Sequence, residues 1–300
     1  MPDLLQTLAA GKVLLSDGAW GTLLLEKGLQ PGECMENWNI TRPDDVYEIA
    51  CSYVKAGSDM IETNSFGANR FKLRQYGLAD KTTEINRAAA ELSRKAAGSD
   101  KHVLGSMGPT GKILMMGDVT EEELYTVFSE QATALEQGGA DSIIIETMTD
   151  LDEARIAVGA ANENTCCTII CTMTFERTAD GSFKTMMGVG PADLPPVLIA
   201  AGADIIGSNC GNGTKDMIDI LKDFRDILPD FPLMIQGNAG MPKYIQGKTV
   251  FDETPEETAS YIPSLLKYGV NIVGGCCGTT PEHIREIYKT VHPDQRAEAQ

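Results

Sequence analysis

Short runs of β-branched and apolar residues alternate along the chain with longer segments whose apolar residues recur at the helical period. The runs predict strands at 13–17, 59–63, 102–106, 142–146, 168–173, 204–208, 232–236 and 271–275. The segments between them predict helices near 44–57, 82–98, 120–139, 151–163, 191–202, 214–228 and 255–269, with a last one after Pro281. Thr120 before three glutamates, Thr254 before Pro255 and Thr280 before Pro281 mark helix starts, since threonine accepts an orphan N–H and proline has none to satisfy. Gly138 and Gly202 mark stops. Ala-Gly-x-Asp at 56–59 and 201–204, with a related run at 138–141, precedes strands. About eight strand–helix units imply an α/β chain folded as a single (β/α)8 TIM barrel over 1–291, followed by a polar tail at 292–300.

In such a barrel the active site lies at the C-terminal ends of the strands. The polar residues collect there: Asp17, Glu62-Thr63-Asn64, Ser106, Glu146-Thr147, Asn209-Cys210, then Asn238 after the seventh strand and Cys276-Cys277 after the eighth. No lysine occupies any of these ends, which argues against a Schiff-base aldolase.

The net charge of −18 opposes binding to nucleic-acid phosphates and to anionic membranes. The N-terminus has no basic start followed by an apolar run, and no segment approaches the roughly 20 apolar residues that span a bilayer, so the expected location is cytoplasmic. A reducing compartment leaves the eight cysteines free for metal or core.

Cys276 and Cys277 are flanked by glycines that let the backbone turn sharply, and Cys210 ends a strand two units earlier. Three thiolates from two loops suit tetrahedral Zn²⁺ with a fourth position open, the arrangement of a catalytic site. By spacing and placement alone, small core thiols account for them equally well. Cys34, Cys51, Cys166, Cys167 and Cys171 lack the strand-end placement and read as core or surface thiols; His102, His283 and His292 are scattered.

The motifs Asp17-Gly18-Ala19-Trp20-Gly21-Thr22, Glu62-Thr63-Asn64-Ser65-Phe66, Gly105-Ser106-Met107-Gly108-Pro109-Thr110-Gly111, Glu146-Thr147, Gly207-Ser208-Asn209-Cys210 and Gly275-Cys276-Cys277-Gly278-Thr279 resemble the homocysteine S-methyltransferase family, in order along nearly the whole chain. Within it, the run from Gln236 through Asn238 to Pro242 most resembles the homocysteine-binding domain of cobalamin-dependent methionine synthase. The resemblance implies zinc on Cys210, Cys276 and Cys277, and a thiolate of homocysteine that takes a methyl group to give methionine. Asp17 and Glu146 are then expected to hold the substrate ammonium. Backbone N–H groups of the Gly18 to Gly21 turn, Gly18 and Ala19 first among them, are expected with Ser106 to receive its carboxylate, and Asn209 is expected among the substrate contacts. Asn238 is expected in a loop, as a zinc ligand of the empty enzyme or as a turn residue, and Glu62 and Asn64 either support the site from behind or contact it.

The resemblance of the run from Asn238 to Pro242 to the methionine-synthase branch implies a methylcorrinoid (cobalamin) donor, expected on a separate protein; the 300 residues leave no room beside the barrel for corrinoid or folate domains, which keeps other donors open. Methionines at 107, 115, 116, 186 and 187 in two long rim loops suit such a partner. The alternatives are S-methylmethionine, betaine or another donor with this or another thiol, or a non-catalytic subunit that docks a thiol or a corrinoid protein.

Overall fold

The computed structural model describes residues 3–245 and 248–292. Eight parallel strands form one sheet: β1 (Leu14–Leu15), β2 (Met60–Glu62), β3 (His102–Met107), β4 (Ser142–Met148), β5 (Thr168–Met173), β6 (Ile205–Gly213), β7 (Leu233–Asn238) and β8 (Ile272–Gly275). Consecutive strands are neighbours from β2 through β8, and β8 returns to pair with β1, so the chain makes a (β/α)8 TIM barrel. The remaining seam, between β1 and β2, is bridged by Asp59, whose N–H donates to the Leu15 carbonyl at 2.7 Å.

That bridge is one of four. Asp59, Asp141, Asp204 and Asn271 each stand just before an even-numbered strand and donate a backbone N–H to a carbonyl of the preceding odd strand. The side chain of each accepts the N–H of the same residue, Leu15, Val103, Ile169 and Leu233 in turn, at 2.8–3.1 Å. A left-handed glycine two positions earlier, Gly57, Gly139, Gly202 or Gly269, turns the chain out of the helix and into this clamp. The Ala-Gly-x-Asp runs were therefore three members of a fourfold set; the fourth reads Tyr268-Gly269-Val270-Asn271. Asp204→Ala should cost about 1–2 kcal/mol, the scale of a part-buried N–H left without its acceptor, measured as a shift in the urea midpoint.

The interior repeats with the two-residue period of a strand. Leu14, Met60, Leu104, Ile144, Ile170, Ile205, Met234 and Ile272 form an apolar plug, sealed from below by Leu4 and Leu8 of the helix Leu4–Ala9. Two positions further along each strand stand Ser16, Glu62, Ser106, Glu146, Thr172, Gly207, Gln236 and Gly274. The layer above the plug is thus polar because each strand changes character at its C-terminal end. The larger core lies between the sheet and the surrounding helices.

The helix starts marked by Thr120 and Thr254 carry reciprocal caps with Glu123 and Glu257. At Thr280 the partner is His283, whose Nδ1 accepts the Thr280 N–H at 3.1 Å and whose Nε2 lies 3.0 Å from the Glu253 carbonyl. His292 ends the last helix and packs at a tilt of 52° against the Tyr288 ring, with ring centroids 4.6 Å apart; residues 293–300 of the expected tail lie outside the described residues. Among the described residues no helix is long and apolar enough to cross a membrane. Met107 is buried at the end of β3, because its odd position in the strand turns it toward the helices. Met115, Met116, Met186 and Met187 are exposed at the rim.

Candidate metal and substrate site

The strand containing Cys210 runs on to Gly213, five residues past the expected end. Its pairing with β7 slips between Asn209 and Gly213, and Cys210 takes a left-handed conformation with φ 58°. This bulge lifts the Cys210 side chain out of the ladder. Asn238, expected in a loop, is instead the last residue of β7, paired with Gly213 across the same slip. At the end of β8 the Cys276 N–H donates to the Gly237 carbonyl at 2.8 Å, and Gly278, with φ 79°, turns the chain back.

These two devices bring the Sγ atoms of Cys210, Cys276 and Cys277 within 4.8 Å of one another, with Cys210 and Cys277 3.8 Å apart. Sulfurs bound at 2.3 Å to one tetrahedral ion stand about 3.8 Å apart, so the spacing fits a shared zinc. Hydrogen bonds from Cys276 and then Cys277 push the Cys210 thiol down to about 3. The same contact with Cys210 pushes Cys276 up and Cys277 up to about 12. Three thiolates at this range would repel one another strongly, so a bound cation is the condition under which all three sulfurs could be charged. Asn238 adds, beside these thiols, a buried Oδ1 that has no hydrogen-bond partner among the described residues, an oxygen suited to a metal.

The thiols line a cavity of about 340 Å³ together with Gly18, Trp20, Met35, Asn64, Phe66 and Thr147, among others. Glu62, Ser106, Glu146 and Gln236 line it too, and among the described residues no Lys, Arg or His lines it. A groove of about 650 Å³ between outer helices, past Tyr125, Arg155 and Val197, is larger but open, and it has no cysteine or histidine in its lining.

Around the cavity the carboxyls are buried. Burial raises Glu146 to about 7 despite the Ser106 hydroxyl that donates to it, and raises Asp17 to about 7 against hydrogen bonds from the Glu62 N–H and the Trp20 indole. Burial, then the Glu146 and Asp17 charges, pushes Glu62 well above the carboxylate range. A cationic ligand group in the cavity would find two acids, Glu62 and Glu146, with no protein cation among the described lining residues to compete.

The structure sorts the expected substrate residues. Glu146 faces the cavity, its Oε2 accepting from Asn209 Nδ2 at 3.2 Å. Asp17 lies behind the wall, outside the lining, with Oδ2 accepting from Trp20 Nε1 at 3.0 Å and the Glu62 N–H at 2.9 Å. Of the acids, Glu146 and Glu62 are thus the ones that reach the cavity surface. Ser106 lines the cavity, but its hydroxyl donates to Glu146 and its N–H to Thr63 Oγ1, leaving no donor for a carboxylate. The Ala19 N–H is taken by Thr279 Oγ1 at 3.2 Å, while Trp20, Gly21 and Thr22 begin the helix Trp20–Glu26 without a side-chain cap.

Asn209 is fully buried and does not line the cavity. It accepts from the Thr147 N–H and Thr172 Oγ1, each at 2.8 Å, donates to Thr147 Oγ1 at 2.7 Å, and lies 3.8 Å from Cys276 Sγ. It thereby holds Thr147 left-handed, φ 59°, a conformation unfavourable for a β-branched residue. Asn64 donates to the Met35 carbonyl and Asn39 Oδ1, and Glu62 Oε1 accepts from Gln236 Nε2 at 2.8 Å. Met35 and Gln236 were not foreseen: Met35 opens a short 3-10 turn, Met35–Asn37, that has no local signal, whereas the alternation of β7 points Gln236 inward.

The raised Glu146 has a consequence for stability. The folded protein keeps its proton up to about 7, against an ordinary 4.5, so this group's stabilisation is full below 4.5 and is lost as pH rises through about 7. Relative to Glu146→Gln, the ligand-free wild type should lose stability across that window, read from urea midpoints at fixed salt.

The chain matches a family model described as homocysteine S-methyltransferase over residues 14–291. It is 33% identical to methionine synthase of Mycobacterium leprae over 96% of its own length, and 32% identical to that of Mycobacterium tuberculosis over 99%. It spans about a quarter of the length of these relatives. Its fold is similar to that of the homocysteine methyltransferase MmuM from Escherichia coli, with a TM-score of 0.77 and 20% identity to the metallated form, covering 95% of this chain and 99% of that one. The carboxyl transferase domain of Rhizobium etli pyruvate carboxylase shares the barrel at a TM-score of 0.51 and 16% identity, over 95% of this chain and 47% of that one. With its motifs, barrel and family match in agreement, this chain belongs to the homocysteine S-methyltransferase family.

Proposed function

We propose that this chain holds zinc on Cys210, Cys276 and Cys277, binds homocysteine in the adjoining cavity, and transfers a methyl group to its sulfur to give methionine. The observation that carries this reading is the set of three thiols within 4.8 Å, opening on a cavity with buried acids and no basic lining residue. A free thiol near pKa 8.5 is mostly protonated at neutral pH, and bound zinc supplies a centre on which the substrate sulfur stays a thiolate. The protein's own residues orient the rest of the molecule. Glu146, held by Ser106 and Asn209, receives the ammonium, with Glu62 beside it. The 18–21 turn, at the uncapped start of the helix Trp20–Glu26, receives the carboxylate. Asp17 steadies that turn through Trp20 and braces Glu62 through its N–H. With both ends fixed, the sulfur can attack the donor's methyl carbon in line, and the donor leaves with the electron pair of its broken bond to that carbon.

The donor in this reading is a methylcorrinoid carried by a separate protein. Its support is the rim, where Met115, Met116 and Met186 are each more than 70% exposed, a surface that adapts to a partner. Zinc-loaded protein with homocysteine should form methionine from methylcobalamin or a methylated corrinoid protein, followed at the cobalt absorption bands. Methionine formed only from S-methylmethionine or betaine would replace the donor. Failure with every donor, together with no homocysteine binding, would remove the function. X-ray absorption at the zinc edge should also gain one sulfur neighbour when homocysteine is added; an unchanged count would remove direct binding of the thiol to the metal.

A further inference from the structure

Thr279 is fully buried and does not line the cavity, yet its hydroxyl joins the two halves of the proposed site. It accepts the Ala19 N–H at 3.2 Å and donates to the Cys276 carbonyl at 2.7 Å. Its backbone N–H donates to the same Cys276 carbonyl at 3.1 Å. On the far side of Ala19, the buried Tyr53 hydroxyl donates to the Ala19 carbonyl at 2.7 Å. Both polar backbone groups of Ala19 are thus held, one by Thr279 and the other by Tyr53.

Two glycines make room for this link. A Cβ on Gly18 would lie 2.6 Å from Thr279 Oγ1, and one on Gly275 would lie 2.3 Å from it. Neither glycine has a positive φ, so what their positions demand is space rather than backbone freedom. The turn that carries Cys276 and the turn that starts at Gly18 are therefore pressed together on one hydroxyl and fixed there by hydrogen bonds at both ends.

We propose that Thr279 is a positioning residue that sets the span between the thiol turn and the 18–21 turn, and through it the length of amino-acid thiol the site accepts. This rests on the reading of Cys276 and Cys277 as zinc ligands and of the 18–21 turn as the carboxylate seat. A substrate must reach both at once. A rigid span favours homocysteine over cysteine, which is one methylene shorter and cannot satisfy both ends. A span that can close up loses that preference, which for one methylene is worth about 10–200-fold.

The test uses zinc-loaded wild type, Thr279→Val, Thr279→Ser and Tyr53→Phe. It measures dissociation constants for homocysteine and cysteine by calorimetry, and zinc release to a chromophoric chelator. Thr279→Val keeps the shape and removes both hydroxyl bonds. It should lower the preference for homocysteine roughly tenfold and speed zinc release about 10–100-fold. Thr279→Ser should restore both. Tyr53→Phe should lower the preference with less effect on zinc release than Thr279→Val, because it removes the 2.7 Å bond to the Ala19 carbonyl and only a long, 3.4 Å contact with the Thr279 carbonyl. A Thr279→Val protein with wild-type preference and zinc release overturns the proposal. If that variant does not fold, an unchanged preference in Tyr53→Phe overturns it instead. Wild-type protein that binds no zinc overturns the functional reading on which this one stands, before any variant is compared.

Discussion

Cys276→Ser protein should emerge from purification without stoichiometric zinc and without detectable methyl transfer, while its circular dichroism matches wild type. Serine differs by one atom, so the Cys276 N–H keeps its bond to the Gly237 carbonyl and the Cys276 carbonyl keeps its bond from Thr279. What disappears is one of three converging sulfurs. A neutral hydroxyl replaces a thiolate, and the loss should exceed the roughly 100-fold seen when only the surroundings of a ligand are altered. Because the thiol cluster contributes little to the core, the fold should persist. Metal analysis together with methionine formation checks this, and full zinc with full activity would mean that the ligands are elsewhere.

Glu146→Gln should weaken homocysteine binding by about 1.5–3 kcal/mol, the scale of a charge-assisted hydrogen bond, without releasing zinc. Glutamine can keep the local network: one of its amide atoms meets the Ser106 hydroxyl and the other meets Asn209 Nδ2 after a flip of the amide. Asn209 should therefore stay in place, and with it the left-handed Thr147 and the contact toward Cys276. Only the charge facing the ammonium is lost. Calorimetric titration of the zinc-loaded variant gives the affinity, and metal analysis confirms the zinc. An unaltered affinity would move the ammonium to Glu62, the other acid lining the cavity.

The two variants separate the halves of the site, and they also show why those halves differed in how readily they could be read. The thiol pair at 276–277 and the cysteine after Asn209 were visible because glycines flank them and because they end predicted strands. The proposed amino-acid subsite was visible only as residue types. That Glu146 meets Asn209 across 63 positions of chain, or that Ser106 has spent its hydroxyl on Glu146, depends on which strands are neighbours and at what register.

The sequence by itself determined the number and order of the strand–helix units, the helix caps at Thr120 and Thr254, the glycine turns ahead of the strands and the polar layer at the barrel mouth. These follow from interactions between residues a few positions apart: capping bonds, the two-residue alternation of strands and the left-handed freedom of glycine. Tertiary structure alone decided that β6 runs on through a bulge to Gly213, that Asn238 belongs to β7, that Met107 turns into the core, and that Asp17 stands behind the cavity wall. It also decided that Asn271 joins the fourfold clamp although neither the alanine nor the aspartate of the motif is present there. Each of these depends on which of several nearby donors and acceptors satisfies a buried group first. That competition is settled only when segments distant in the chain are packed together, because a buried polar group must find a partner wherever the fold supplies one.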